Sequence, residues 1–264
     1  MKLSYWHNVV DSYGQTRLSF PTDRLIALSG IAREVQAMLQ TTYVAGMWQN
    51  QLPDSLLWYC GHENRSALTP KYIAPSWSWA SVARCIWYPD YAHGAQTAPV
   101  RSCATVLDVG VVLATDDDPF GQVTEGQLHI RGKLGLMKWS GGSTEPNNIP
   151  VRLTGADLDF ANSSPKLLPH SFMERSDLRA YIIMDDFSVN QNFLKEEGQA
   201  YYLPIQLPDM DSSISDFLGR VNINGLLLAY LPCGKFKRIG TAEVRDETAA
   251  ETFNFLTQCD IMII

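Results

Sequence analysis

Histidine and cysteine are the residue types best suited to chemistry here, and their spacing leaves each of them isolated. The histidines are His7, His62, His93, His129 and His170; the cysteines are Cys60, Cys85, Cys103, Cys233 and Cys259. No two histidines stand at i, i+4, none lies at metal-finger spacing from a cysteine, and no Cys-x-x-Cys occurs. Cys60 and His62 are close but lack companion ligands. A Cys–His nucleophilic pair would have to be assembled in space from distant segments. Asp116-Asp117-Asp118 offers three carboxylates, yet a calcium loop alternates its oxygen ligands and ends in a distal Glu. These acids are consecutive and Pro119 follows, which reads as a solvated loop. The G-x-S-x-G elbow, the P-loop and G-x-G-x-x-G are absent. These residues predict no metal site, no cofactor and, on balance, no enzyme.

Pro75-Ser76-Trp77-Ser78-Trp79-Ala80-Ser81 is the most unusual stretch. In an extended chain Trp77 and Trp79 share one face and Ser76 and Ser78 the other. Two adjacent indoles could stack on a sugar or anchor a protein partner. The favoured expectation is structural: a core strand under the helices, its indole N–H groups bonded to carbonyls.

The chain that must position these residues has 264 of them, 45% hydrophobic and 19% charged, an ordinary globular composition. Twenty-one basic and 28 acidic side chains give a net charge of −7. Such a balance disfavours nucleic-acid binding and a basic membrane-surface role. The N-terminus has no apolar signal region, and the longest apolar run, Gly225 to Leu231, is too short to span a bilayer. An odd cysteine count at wide spacing fits reduced thiols in a cytoplasmic protein. Asn64-Arg65-Ser66 and Asn162-Ser163-Ser164 then read as chance glycosylation patterns.

Six of the seven tryptophans fall in residues 1–100. There Leu25, Leu28, Ile31, Ala32, Val35, Met38 and Leu39 predict an amphipathic helix from Asp23 to Gln40, capped by Thr22 or Asp23. Gly30 within it suggests close packing against a neighbour. Trp6, Val9, Val10 and Tyr13 predict a short helix with its own apolar face. A further helix is expected from Pro53 to Trp58. Beyond residue 100 the period changes to two. Thr105, Leu107, Val109, Val111 and Leu113 share one strand face. More strands are expected near 128–136, 179–184, 201–207, 226–231, 236–243 and 260–264. Pro204 implies an edge or a bulge, and Leu231 to Phe236 a hairpin turn. Thr248 to Glu251 is a capping box for a late helix. Loops are expected at 115–126 and 140–150. The fold class is α+β: N-terminal helices packed on a mainly antiparallel β sheet, barrel or sandwich. A helical, Trp-rich part (1–100) and a β-rich part (101–264) form one folded unit.

Several segments in order carry a family resemblance. They are Trp6 to Leu18, Phe20-Pro21-Thr22-Asp23-Arg24-Leu25 continuing through Gly30 to Ala32, Tyr43-Val44-Ala45-Gly46-Met47-Trp48, Leu56-Leu57-Trp58, and Ala74-Pro75-Ser76-Trp77-Ser78-Trp79-Ala80-Ser81. Together they resemble the region that follows the HET domain in heterokaryon-incompatibility proteins of filamentous fungi. The tail from Gly225 to Gly240 resembles that family's last strands. The HET domain, similar to TIR domains and associated with death signalling, would precede residue 5, and its motifs are absent from this chain. No catalytic or nucleotide-binding residue carries over. The resemblance implies a regulatory or protein-interaction module in non-self recognition and cell death. The implied partner is a protein or the missing effector domain. Asp23, Arg24, Gly30, Gly46, Trp48, Pro75, Trp77 and Trp79 stand as its interaction or structural motif. Two other readings are a small-ligand-binding protein or enzyme with a pocket in the β region, and a truncated fragment without function of its own. Part of the Trp6–Tyr13 face is expected to be either exposed or used in self-association, and to mark where the HET domain would dock.

Overall fold

The computed structural model describes residues 3–16, 18–61, 72–82, 85–89, 100–141, 149–155, 158–159, 166–167, 174–185, 197–208, 222–245 and 253–264. Helix α1 spans Leu3–Gly14. Two 3-10 turns, Pro21–Asp23 and Ile26–Leu28, lead into helix α2, Ser29–Leu39. The α-helix thus starts later than expected, and neither Thr22 nor Asp23 caps it. It ends at Gln40 in the left-handed conformation (φ 51°), whose N–H bonds the Gln36 carbonyl. Leu25, Leu28, Ala32 and Val35 are buried, but Ile31 is 45% and Met38 58% exposed. The apolar stripe is wider than the surface beneath it, and these two residues lie on its flank. Gly30 is exposed, and a Cβ there would meet nothing within 4 Å, so it serves no close approach.

Strands β1 (Tyr43–Val44) and β2 (Met47–Trp48) form a hairpin. Its loop is Ala45 (φ 46°) and Gly46 (φ 92°), the paired positive φ values of a type I′ turn. The helix expected after Pro53 is a 3-10 turn, Asp54–Leu57. β3 (Tyr59–Cys60) pairs with β4 (Ile86–Trp87).

The β-rich part holds β5 (Val100–Ser102), β6 (Thr105–Leu113), β7 (Val123–Trp139), β8 (Ile149–Gly155), a small β9–β10 ladder (Leu158–Asp159, Lys166–Leu167) and β11 (Glu174–Met184). It continues with β12 (Gly198–Pro208), β13 (Asn222–Tyr230), β14 (Phe236–Arg245) and β15 (Thr257–Ile263). Pairing runs β7–β8–β11–β14–β13–β12 and returns to β7, antiparallel at every step. The ring closes a six-stranded barrel, which removes its edges. β15 lies between the first half of β7 and the start of β14.

Two cores result. Met137, Leu153, Ala180, Tyr202, Leu227 and Val244 belong to the one that the barrel strands enclose. The other lies between the N-terminal layer and the outer face of the sheet. There Trp6, Trp48, Trp58, Trp77 and Trp79 meet Leu128, Ile130 and Leu134 of β7. β7 supplies both, with Met137 and Trp139 in the barrel core. Pro204 marks a register shift before Gln206, as a strand proline does at a bulge. Leu107 departs from expectation. The register slips between Val106 and Asp108, so Leu107 leaves the face that carries Val109, Val111 and Leu113 and is exposed. The Leu231–Phe236 turn closes through Leu231 N–H to the Lys235 carbonyl, 2.8 Å. The capping box at Thr248–Glu251 lies outside the described residues, as do the sequons at Asn64 and Asn162 and most of the 140–150 loop.

Candidate functional site

The residues that carry the family resemblance converge on the β1–β2 hairpin tip. Trp6 Nε1 donates to the Gly46 carbonyl at 2.9 Å, and Trp79 Nε1 donates to the same oxygen at 2.7 Å. Ser78 Oγ donates to the Ala45 carbonyl at 2.6 Å and accepts from Ala80 N–H at 3.0 Å. Gly46 is needed twice: for its positive φ, and because a Cβ would lie 2.8 Å from Trp79 Nε1. Trp48 packs edge-on against Trp6 and Tyr43, ring centroids 5.2 and 5.0 Å away. Arg24 is buried with its guanidinium 5.4 Å from the Trp79 ring, and Tyr13 donates its hydroxyl to the Arg24 carbonyl at 3.0 Å. Burial lowers the Arg24 pKa to about 10, which leaves it cationic at neutral pH.

Trp77 and Trp79 do not share a strand face. The segment is a turn leading into a 3-10 turn, Trp79–Ser81, and the two rings go to different neighbours. Trp77 and Pro75 sit over Gly126 of β7, where a Cβ would collide with Pro75. Both indoles are fully buried, but only Trp79 bonds a carbonyl; Trp77 Nε1 finds no acceptor among the described residues. Asp23 accepts from Thr22 Oγ1 at 3.3 Å. Gly30 stands apart from the cluster.

A second node ties the layer to the sheet. Arg238, on β14, is buried and donates to Asp185 Oδ2 at 2.6 Å and to the Trp58 carbonyl. Its guanidinium carbon lies 3.3 Å from the centre of the Trp58 ring, a cation–π contact. Trp58 Nε1 donates to the Trp77 carbonyl at 2.9 Å. Ser76 Oγ accepts from Arg238 N–H at 3.0 Å and donates to the Ile264 carbonyl. The sequence reading missed Arg238 as a core residue. The available signal was period two, which puts Arg238 on the same face as Phe236 and Gly240.

His7 is held neutral. Its ring stacks on Tyr88 with centroids 3.5 Å apart and planes within 2°, and Nε2 lies 3.4 Å from Ser55 Oγ. Burial lowers its pKa to about 4. Ser55 is itself buried, so the pair fastens α1 rather than presenting a nucleophile. Burial pushes the Cys103 thiol up to about 12, away from the thiolate form that attacks substrates. The five cysteines, all among the described residues, form no disulfide with one another. Asp118 is engaged by Arg33 at 2.8 Å and accepts from Phe120 N–H at 3.2 Å. Among the described residues no group of three or more His, Cys, Asp or Glu is placed to hold a metal ion, and no helix is long and apolar enough to cross a membrane. His62, His93 and His170 lie outside them.

Of the Trp6–Tyr13 face, Trp6 and Val10 are buried, while Val9 and Tyr13 pack against the layer core and keep part of their surface exposed. The α1 stripe meets the β1–β2 hairpin and so has its cover within the chain. Exposed apolar surface lies instead on the path into α2, at Phe20 (66% exposed), Ile26, Ile31 and Met38. Compared with protein-family models, with curated proteins and with solved structures, the chain matches none.

Proposed function

We infer that this chain is a non-enzymatic, regulatory protein-interaction module. In line with the resemblance, its field is fungal non-self recognition and cell death, and its partner is an effector domain of the HET type. The observation that supports the reading is the α2 flank. Four large apolar side chains, Phe20, Ile26, Ile31 and Met38, stand exposed on the element that the resemblance covers. Large apolar side chains left exposed on one element are a usual mark of a protein contact. The tryptophan cluster is buried and serves to hold that element in place. The reading is of a cytoplasmic protein, where thiols such as these five stay reduced. It involves no cofactor and no nucleic acid, the latter because a net charge of −7 opposes phosphate.

The test is a titration of the isolated HET-type domain from a resembling fungal protein into this chain, followed by calorimetry. Binding is expected, and the pair Ile31→Glu with Met38→Glu should remove it without shifting the melting temperature. Absence of binding, or binding indifferent to those two changes, overturns the reading.

A further inference from the structure

Outside the closed ring, β6 is a long strand that joins the sheet along one side only among the described residues. Among the described residues β6 pairs with β7 alone, from Thr105↔Arg131 to Leu113↔Val123. Beyond that ladder it receives one further bond, from Thr124 Oγ1 to the Val112 carbonyl at 3.3 Å. On an antiparallel edge strand every second residue aims its N–H and C=O outward, a template for one more strand.

The devices that usually blunt such an edge are weak here. β6 contains neither Lys nor Pro, and its two register shifts fall near its ends, leaving Asp108 to Val112 regular. β5, which also pairs on one side only among the described residues, is three residues long and carries Arg101. Val109 and Val111 pack on the layer core and hold β6 in place, while Leu107 (39%) and Val112 (53%) face solvent. The surroundings are acidic. Asp108 lies in the strand, Asp116 and Asp117 just past its end, and Glu125 opposite Val112; all four are exposed. The nearby cations are engaged elsewhere: Arg33 with Asp118 at 2.8 Å and Arg131 with Asp260 at 2.7 Å.

We propose that the Asp108–Val112 edge of β6 takes up an extended segment of a partner protein as an added strand, and that this segment alternates apolar residues with Lys or Arg. The backbone supplies the attachment, Leu107 and Val112 the apolar contact, and the four carboxylates the selection for positive charge. A second copy of this chain fits less well, because two such edges would bring two acidic rims together. The proposal deepens the interaction-module reading and rests on it, but uses a different element from α2.

The probe is a capped peptide of about six residues alternating Val and Lys, with a Val–Glu peptide as control. Amide hydrogen exchange followed by NMR should slow between residues 108 and 112 when the Val–Lys peptide is bound. The Val–Glu peptide should bind at least about tenfold more weakly, a difference that salt near 1 M erases. Gly110→Lys is the decisive variant. A Cβ at Gly110 meets nothing within 4 Å, so the strand accommodates it while a cation now guards the edge. It should weaken peptide binding by at least about tenfold. Should Gly110→Lys disturb folding, Val112→Lys, at an already exposed position, serves the same purpose. Absence of binding, protection elsewhere than 108–112, equal binding of the Val–Glu peptide, or indifference to both edge variants each overturns the proposal. Dimerisation that Gly110→Lys abolishes assigns the edge to a second copy and also overturns it. Met38→Glu should leave peptide binding unchanged. A failed peptide test with intact effector-domain binding therefore sinks this inference alone, and the converse result sinks the α2 reading alone.

Discussion

The two cores satisfy their backbones by different means. In the barrel core, long strands pair side by side, and the ladders take up most N–H and C=O groups; mainly aliphatic side chains, with Trp139 and Tyr202 among them, then fill the interior. The layer adds to α1 and α2 a run of two-residue strands, 3-10 turns and loops, which leave buried carbonyls without a ladder. Side chains take the missing role. Gly46 O receives two indole N–H groups, Ala45 O a serine hydroxyl, Trp77 O an indole, and Trp58 O a guanidinium. This explains why the layer is rich in Trp, Ser and buried Arg: each adds an apolar body or a short reach to a donor that irregular backbone needs. The lesson is that an unusual aromatic density can mark a shortage of regular hydrogen bonding rather than a ligand site.

Substitutions can break or refine this contrast. The largest effects should come from emptying the layer. Trp77→Ala should cost about 3–5 kcal/mol in urea unfolding, the range for removing a core aromatic. Asp185→Ala should cost a similar amount, about 3–5 kcal/mol, because it leaves the Arg238 cation buried without its carboxylate. A loss below about 1 kcal/mol at either position would mean that the layer does not depend on these contacts.

Acid should come next. The folded chain holds His7 neutral, with a pKa lowered from 6.5 to about 4. The unfolded chain therefore takes up the proton first as pH falls. The stability from neutral His7 is complete above pH 6.5 and is lost progressively towards pH 4, by about 2–3 kcal/mol. Urea midpoints across that window should show the slope, and His7→Phe should flatten it. A finer comparison separates the two indoles of one motif. Trp79→Phe gives up the bond to Gly46 O, whereas Trp77→Phe gives up none to the described residues, so the former should cost about 1 kcal/mol more in the same assay. The smallest effect runs the other way. Gly30→Ala, in a helix with open space around it, should raise stability by up to about 1 kcal/mol, visible as a higher melting temperature.

Periodicity made most of the β-rich part legible. The strands around 201–207, 226–231 and 236–243, the turn at Leu231–Phe236 and the bulge at Pro204 all rest on local signals of alternation and turn chemistry. Closure of the barrel was not legible, because it depends on β7 meeting four other strands, and pairing partners leave no trace in a single sequence. The exposure of Ile31 and Met38 could not be read for a related reason: a helical stripe shows what could be buried, not how wide the receiving surface is. Period two failed at Leu107, where one extra residue turns the side chain outward. It failed again at Trp77 and Trp79, where alternation occurs in a turn. At the site, the motif around Gly46 and Trp79 stood out by composition. Its partners Arg238 and Asp185 did not, since single charged residues look the same whether solvated or buried.

β7 runs for 17 residues and walls both cores. Its consequence is cooperativity. A chain with an irregular layer and a regular barrel would be expected to melt in two stages, the layer first. Here the strand on which the layer rests continues without interruption into the barrel wall. Detaching the layer strips the first half of β7, with Leu128, Ile130 and Leu134, of its cover, and that half, paired with β6 and β15, runs directly into Gly135–Trp139, whose ladders with β8 and β12 close the ring. Opening one compartment therefore costs part of the other, and the slowest-exchanging amides of the molecule belong along β7, where local fluctuation becomes global unfolding.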